Sequence, residues 1–400
     1  MAGAASDPPR RIPCARGRPS AAASLVTGLL LIGVLGLSGP VTAQPDPEGR
    51  RYLEMGVEGA IKGNGPAAPY AFLLWTRPNY PSEDYYSRLV IAPTYLEGEL
   101  VRDRVLGWTG HAFGFGVSGG LFPYAFDDFR DGTYLAGRSF TGSGGGFYLA
   151  YYPHLELWDT LPLQGQLRLG ATYVGYDKGG STDSGFQLPQ ATPLYHARLG
   201  VRLGGKPPEL LPKVAFGLSA WYEARYRVHA DPYGLPGAQD TLEHWTDRAW
   251  VRFDLVATVA ETHTLSLTAT AGTTTQTDKL STFRMGAALP FRSEFPLNLH
   301  GYYSDEVFAR RFWLVNAAYR LPILPGSDRV QLQFSADVAG VEYLPGRELP
   351  RSTLRGLGVD LTTRLTPRLT LVLGFGYGLD APRRGGFGGE ELGGELEYKF

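Results

Sequence analysis

Side chains that could do acid–base, nucleophilic or metal chemistry are scattered along this 400-residue chain rather than gathered. Six of its seven histidines are His111, His154, His196, His229, His244 and His263. They show no i, i+4 pairing and no flanking ligands at metal spacing, so no metal site is expected. Glu243-His244 reads as a solvated loop pair. No serine in a Gly-x-Ser-x-Gly elbow stands within reach of a readable triad. A lipase or deacylase needs only a Ser, a His and an acid brought together in space, which leaves a lipid-modifying enzyme as one open alternative. The residues themselves favour no enzyme and call for no cofactor. The only cysteine, Cys14, lies ahead of an apolar run at the N-terminus, which argues against a disulfide framework or a thiolate metal site. A formal net charge of −1 argues against a nucleic-acid partner, because phosphate binding needs a basic face.

The remaining charge chemistry lies at alternating positions. Arg168, Arg198, Arg202, Glu223, Arg225, Arg252, Asp254, Asp360, Arg364, Glu395 and Glu397 each stand next to at least one apolar residue in segments where apolar and polar positions alternate. Mixed signs of this kind suit a water-filled lumen, where they pair across the interior or tune ion selectivity. They share a face only if the segments carrying them are strands. The 53 Gly, 30 Pro, 23 Tyr and 20 Phe agree, since they suit short strands, tight turns and aromatic girdles.

The alternation is sustained. From Lys213 to Val228, Val214, Phe216, Leu218, Ala220, Tyr222, Ala224 and Tyr226 point one way, and Ser219, Glu223, Arg225 and Arg227 point the other. His263 to Ala271 and Arg329 to Val338 repeat the rule, as do Leu163 to Tyr176, Tyr195 to Gly204, Asp247 to Val259, Leu357 to Leu365 and Leu369 to Leu379. Strands of about ten residues or more match what a tilted strand needs to cross a bilayer. The last strand, Leu392 to Phe400, sets Leu392, Gly394, Leu396, Tyr398 and Phe400 against Gly393, Glu395, Glu397 and Lys399. Apolar residues outward and charges inward are what lipid on one side and water on the other require. A terminal Phe with Tyr two residues before it resembles the signal by which outer-membrane barrels are recognised for assembly.

Arg10, Arg11, Arg16 and Arg18 precede the apolar run Ala21 to Leu37 and the small-residue site Pro40-Val41-Thr42-Ala43. That is the plan of a secretory signal peptide. The expected organisation is therefore a signal peptide over 1–43, a short periplasmic tail over 44–51 and an outer-membrane barrel over 52–400. About seventeen candidate strands can be counted, of which Ala67 to Arg77 is the least regular. A bacterial single-chain barrel has an even number, so the expectation is an all-β transmembrane antiparallel barrel of about 16 strands. Outer-membrane lipids and the outer-membrane assembly machinery are the expected partners.

The most specific segment begins at Thr282. Phe283-Arg284-Met285-Gly286 reads as the end of a strand leading into a loop from Pro290 to Tyr303. Phe312 to Pro322 follows, then a strand with Phe334 and Asp337 ahead of Gly340, a strand Gly356 to Leu365, and Gly374 to Asp380, read as a hairpin. In order and spacing, Lys279 to Phe400 resembles the last five strands of the BamA/TamA-type barrels, the outer-membrane insertases and translocases, without their periplasmic POTRA repeats. The resemblance implies that the loop folds into the lumen with His300, Gly301 and Tyr302 at its tip and Asp337 as wall partner. Gly301 would supply the tight backbone and Tyr302 the packing. His300 stands where the family has Arg, so a permanent bidentate pair becomes a single pH-sensitive contact. The resemblance further implies a seam where Gly393 and Gly394 close against the first strand near Met55 to Ile61. It implies insertion or passage of polypeptide or lipid, with unfolded polypeptide as a substrate. A passive porin-like channel is the rival reading.

Overall fold

The computed structural model describes residues 49–107, 109–157, 161–204, 214–259, 263–287, 295–324, 327 and 329–400. The signal peptide expected over 1–43, most of the expected tail, and Pro290 to Glu294 of the expected loop lie outside the described residues.

The alternating segments form one closed antiparallel barrel. Its wall strands are β1 (Arg50–Ala60), β2 (Ala68–Pro78), β3 (Tyr85–Ala92), β4 (Tyr95–Arg102), β5 (His111–Phe126), β6 (Phe140–Leu157), β7 (Leu161–Lys178) and β8 (Thr192–Gly204). The second half comprises β9 (Val214–Arg227), β10 (Trp245–Val259), β11 (His263–Thr273), β12 (Val307–Pro322), β13 (Val330–Tyr343), β14 (Thr353–Thr366), β15 (Leu369–Arg383) and β16 (Gly386–Lys399). Each pairs with the next in sequence, and β16 closes on β1, giving the even number expected. A seventeenth, three-residue strand, Phe283–Met285, pairs only with Val307–Ala309 at the start of β12. Barrel closure leaves no unpaired strand edge.

Register fixes which residues meet lipid and which meet the lumen. Met55, Phe115, Leu149, Leu169, Val251 and Leu373 are exposed on the outer face. Tyr226 pairs with Trp245 at one end of that face, and Tyr398 and Phe400 stand at the other, as girdles do. On the inner face Arg198, Arg225 and Arg248 converge on buried Glu223 at 3.0, 2.6 and 2.5 Å. Each of the inward residues Arg168, Arg202, Arg252, Asp254 and Asp360 sits opposite an inward neighbour in the ladders. Aromatic rings fill the dips left by glycine on adjacent strands. A Cβ on Gly116 would lie 2.1 Å from the Tyr148 ring, and one on Gly200 would lie 2.0 Å from Trp221.

Two sequence readings are corrected. Gly374 to Asp380 is no hairpin but the middle of β15, with Phe375 and Leu379 outward and the glycines inward. Phe283-Arg284-Met285 does not end a wall strand, since β11 stops at Thr273 and the short strand belongs to the long connection that follows. The irregular Ala67 to Arg77 is a genuine wall strand, and β1 opens at Arg50, two residues ahead of the expected barrel start.

Candidate functional site

Connections at the end bearing the termini are short, such as 367–368, whereas 127–139, 228–244, 274–306 and 344–352 are longer and crowd the opposite end. Short turns on the periplasmic side and long loops outside is the usual asymmetry of such barrels. Within the longest connection, 274–306, the described residues from Phe295 onward run along the lumen. Phe295 wedges between Trp221 and Trp250 of the inner wall, with ring centroids 4.9 and 5.5 Å apart. Arg252 donates from Nη1 to the carbonyl of Pro296 at 3.3 Å, and Asn316 donates to that of Asn298 at 2.8 Å.

The loop tip then docks on β13 to β16. His300 donates to Asp337 Oδ2 twice, from its backbone N–H at 2.8 Å and from Nδ1 at 2.5 Å. Asn316 donates to the other oxygen, Oδ1, at 2.7 Å, so both oxygens of a carboxylate only 1% exposed are occupied. Burial pushes the His300 imidazole towards the neutral form. The Asp337 hydrogen bond and charge, with Glu391 and Asp360 nearby, outweigh that and raise its pKa to about 9. The wall accepts the tip because glycines line it. A Cβ on Gly356 would lie 2.6 Å from the His300 carbonyl oxygen, and one on Gly358 would lie 2.5 Å from its ring. Gly301 has φ +79°, and a Cβ there would meet the Gly378 nitrogen at 1.7 Å. Only glycine fits such a backbone against such a wall. Tyr302 is fully buried beside Leu299, Met285 and Leu354.

Two residues that the sequence did not single out complete the latch. Arg383 of β15 clamps Glu306 with a bidentate pair at 2.7 and 2.9 Å and donates to the Gly301 carbonyl at 3.2 Å. Its guanidinium also lies 3.7 Å from the Tyr303 ring centroid. Their positions in a single sequence give no hint of contact; the only available signal was the alternating glycines of β14 and β15, which mark a wall with no side chains in the way.

The other expected residues divide. Arg284 donates to the carbonyls of Asp305 and Asp127 at 2.7 and 2.9 Å and lies over the Phe308 ring, so it ties the loop base to its neighbours. Gly286, at φ +150°, abuts the Tyr303 carbonyl, and Phe283 packs on Phe312. Phe334 and Gly340 stand apart from the site: register puts them on the outer face, Phe334 exposed and Gly340 beneath the Trp313 ring, while Asp337 points inward. Gly394 pairs with Val57 and Gly393 with Glu58 in a seam ladder of nine pairs, from Tyr52–Lys399 to Ala60–Glu391. Neither glycine is crowded, and Glu54 stands directly opposite Glu397. Like charges across a ladder weaken it. Phe400 donates its N–H to the Arg51 carbonyl at 3.1 Å and receives the Arg51 guanidinium over its ring.

Above the latch, four loops share one buried ion cluster. Lys279 meets Asp128 at 3.0 Å and Asp240 at 3.4 Å, while Arg347 meets the same two carboxylates at 3.2 and 3.1 Å. The histidines do not assemble: His111 and His263 bond to Tyr151 and Tyr319, and no cluster able to hold a metal exists among the described residues. Gly116-Val117-Ser118-Gly119-Gly120 lies within paired β5 rather than at an elbow.

Among solved structures the chain is similar to CdiB from Acinetobacter baumannii, with a TM-score of 0.57 and 12% identity over 90% of this chain. CdiB from Escherichia coli gives 0.56 and 12% over 89%, and BamA from Haemophilus ducreyi lacking POTRA domains 1–3 gives 0.54 and 11% over 95%. The fold is that of an outer-membrane barrel of the BamA and CdiB kind. The match takes in 64% of each CdiB chain, under two thirds of its length, and 78% of the BamA chain. No family model and no curated protein matches the sequence.

Proposed function

We propose that this chain is an integral outer-membrane barrel, exported by a signal peptide, that assists insertion or passage of polypeptide or lipid in the manner of the BamA/TamA-type barrels. The observation that carries the reading is the 274–306 loop, held in the lumen by His300 on Asp337 and by Glu306 on Arg383. A loop fixed in the interior, under an ion cluster that ties it to three more loops over the mouth, suits a gated barrel better than an open passive channel. The seam supplies the second element. Its uncrowded glycines and its Glu54–Glu397 opposition favour parting there.

The test is reconstitution of the mature barrel in liposomes with an unfolded small outer-membrane barrel as client. Cysteines at positions 57 and 394, paired across the seam, lock it when oxidised. The expected result is faster client folding than in empty liposomes, abolished by oxidation and restored by reduction. No acceleration, together with a steady, large, ion-selective conductance in a planar bilayer, would leave the porin reading standing instead.

A further inference from the structure

Beside the loop tip the lumen holds a cavity of about 420 Å³, bounded by the seam strands on one side and by β10 to β14 on the other. Its charges do not balance. Glu58, Glu391 and Glu395 contribute from β1 and β16, and Asp337 and Asp360 from β13 and β14, whereas Arg252 and His300 are the cations that line it. Both cations are committed. Arg252 grips Asp254 at 3.0 Å and His300 grips Asp337. Of the carboxylates, Asp337 is saturated and Asp360 accepts from Gln333 at 3.1 Å. Glu395 accepts from the Tyr70 hydroxyl at 3.0 Å.

Glu391 is the telling member. It is 8% exposed, it lines the cavity, and its Oε2 has no hydrogen-bond partner. It is also deliberately accommodated, because a Cβ on Gly376 would fall 2.2 Å from its Oε1. Among the described residues no ion pair joins Glu58 or Glu391 to a basic side chain. A buried carboxylate oxygen left unmatched is costly unless a proton or a cationic ligand completes it. The guanidinium groups of Arg198, Arg225 and Arg248 stand on β8 to β10, the part of the wall farthest in strand order from the seam, so the lumen is basic on one side and acidic on the other. Such a field drives a cation to the seam side.

We propose that the lumenal face of the seam binds an alkylammonium cation of the polyamine class, its ammonium groups taken by Glu58, Glu391 and Glu395. A bare divalent ion fits poorly, since the carboxylates do not converge at ligating distance and the volume is that of a small-molecule site. Val372 and Ala318 offer apolar surface for the methylene chain between charges. The site stands whether the barrel is a translocase or a channel, since it needs only the closed lumen.

Calorimetric titration of the folded, detergent-solubilised barrel with spermidine at constant ionic strength tests this. The expected result is saturable binding of one spermidine per barrel. Glu391→Gln and Glu58→Gln should each weaken it about tenfold, close to what one charge-assisted hydrogen bond is worth. Glu342→Gln, at an exposed carboxylate outside the cavity, should leave it unchanged. Magnesium should bind far more weakly. Heat that vanishes when sodium chloride matches the ionic strength, equal affinity in the Glu58 and Glu391 variants, or magnesium binding as tight as spermidine would each overturn the proposal. Should Glu391→Gln fail to give heat-modifiable barrel, Glu58→Gln and the wild-type magnesium arm decide alone.

Discussion

The His300–Asp337 contact carries a pH dependence whose sign is fixed. A histidine whose pKa is raised on folding, here from 6.5 to about 9, contributes stability that is complete below 6.5 and lost as pH rises through about 9. The loop should therefore be held at neutral pH and loosen in alkali. His300→Arg should abolish that loosening, because Arg stays charged throughout and offers a fork of donors. Asp337→Ala strands His300 and Asn316 without their acceptor, at a cost of about 1–3 kcal/mol, and should loosen the loop at every pH. Single-channel recording between pH 7 and 10 checks this: larger, longer openings above pH 9 for wild type, at all pH for Asp337→Ala, and at none for His300→Arg. A flat wild-type profile would detach the loop from the titration of His300. This pair was legible in the sequence because the order of motifs around it resembled a known barrel family. The Arg383–Glu306 clamp was not, since it joins positions 77 apart and each residue alone reads as an ordinary loop or strand charge.

Strand identity was legible wherever apolar and polar residues alternated over ten or more positions, because a period of two leaves one arrangement on a lipid–water wall. It failed where glycine replaced the polar partner. Gly374, Gly376 and Gly378 read as a turn, yet they thin the inner face of β15 so that Asp360, Glu391 and the loop backbone can lie against it. The short Phe283–Met285 strand failed for the opposite reason, being set by pairing with the start of β12 rather than by its own pattern. The last strand makes the next prediction. Phe400 stands exposed at the terminus-bearing end of the barrel, held by one backbone hydrogen bond, the Arg51 guanidinium and the Tyr398 ring, and contributes nothing to the buried core. Its deletion should leave the finished barrel stable and secretion normal while slowing assembly, seen as full-length chain accumulating unfolded in the periplasm. Normal yields of heat-modifiable barrel in the deletion strain would show that recognition at assembly does not run through this residue.

For the molecule as a whole, the wall and the cap are separate constructions. The wall is a continuous hydrogen-bonded ladder around all sixteen strands, whereas the cap is tied by the side chains Lys279 and Arg347 on Asp128 and Asp240. Lys279 and Asp128 are almost wholly buried, and burial lowers the Lys279 pKa against the pull of the two carboxylates. Removing one member of such a cluster leaves its partner's charge buried and uncompensated, at about 3–5 kcal/mol. Lys279→Ala should therefore open the outer mouth without unfolding the barrel. The mature protein should fractionate with the outer membrane and run faster on gels when unheated, in wild type and variant alike, because no ladder bond is lost. Cells carrying the variant should become sensitive to large antibiotics that the wild type excludes, and added protease should cut within 127–139, 228–244 or 344–352. Replacing Asp128 with Asn in the same chain should restore part of the closure, since the uncompensated charge is then gone while a hydrogen-bonding oxygen remains for Arg347. Loss of heat-modifiable mobility in Lys279→Ala would mean that cap and wall fold as one unit; unchanged protease resistance with normal mobility would mean that the ion cluster does not hold the cap.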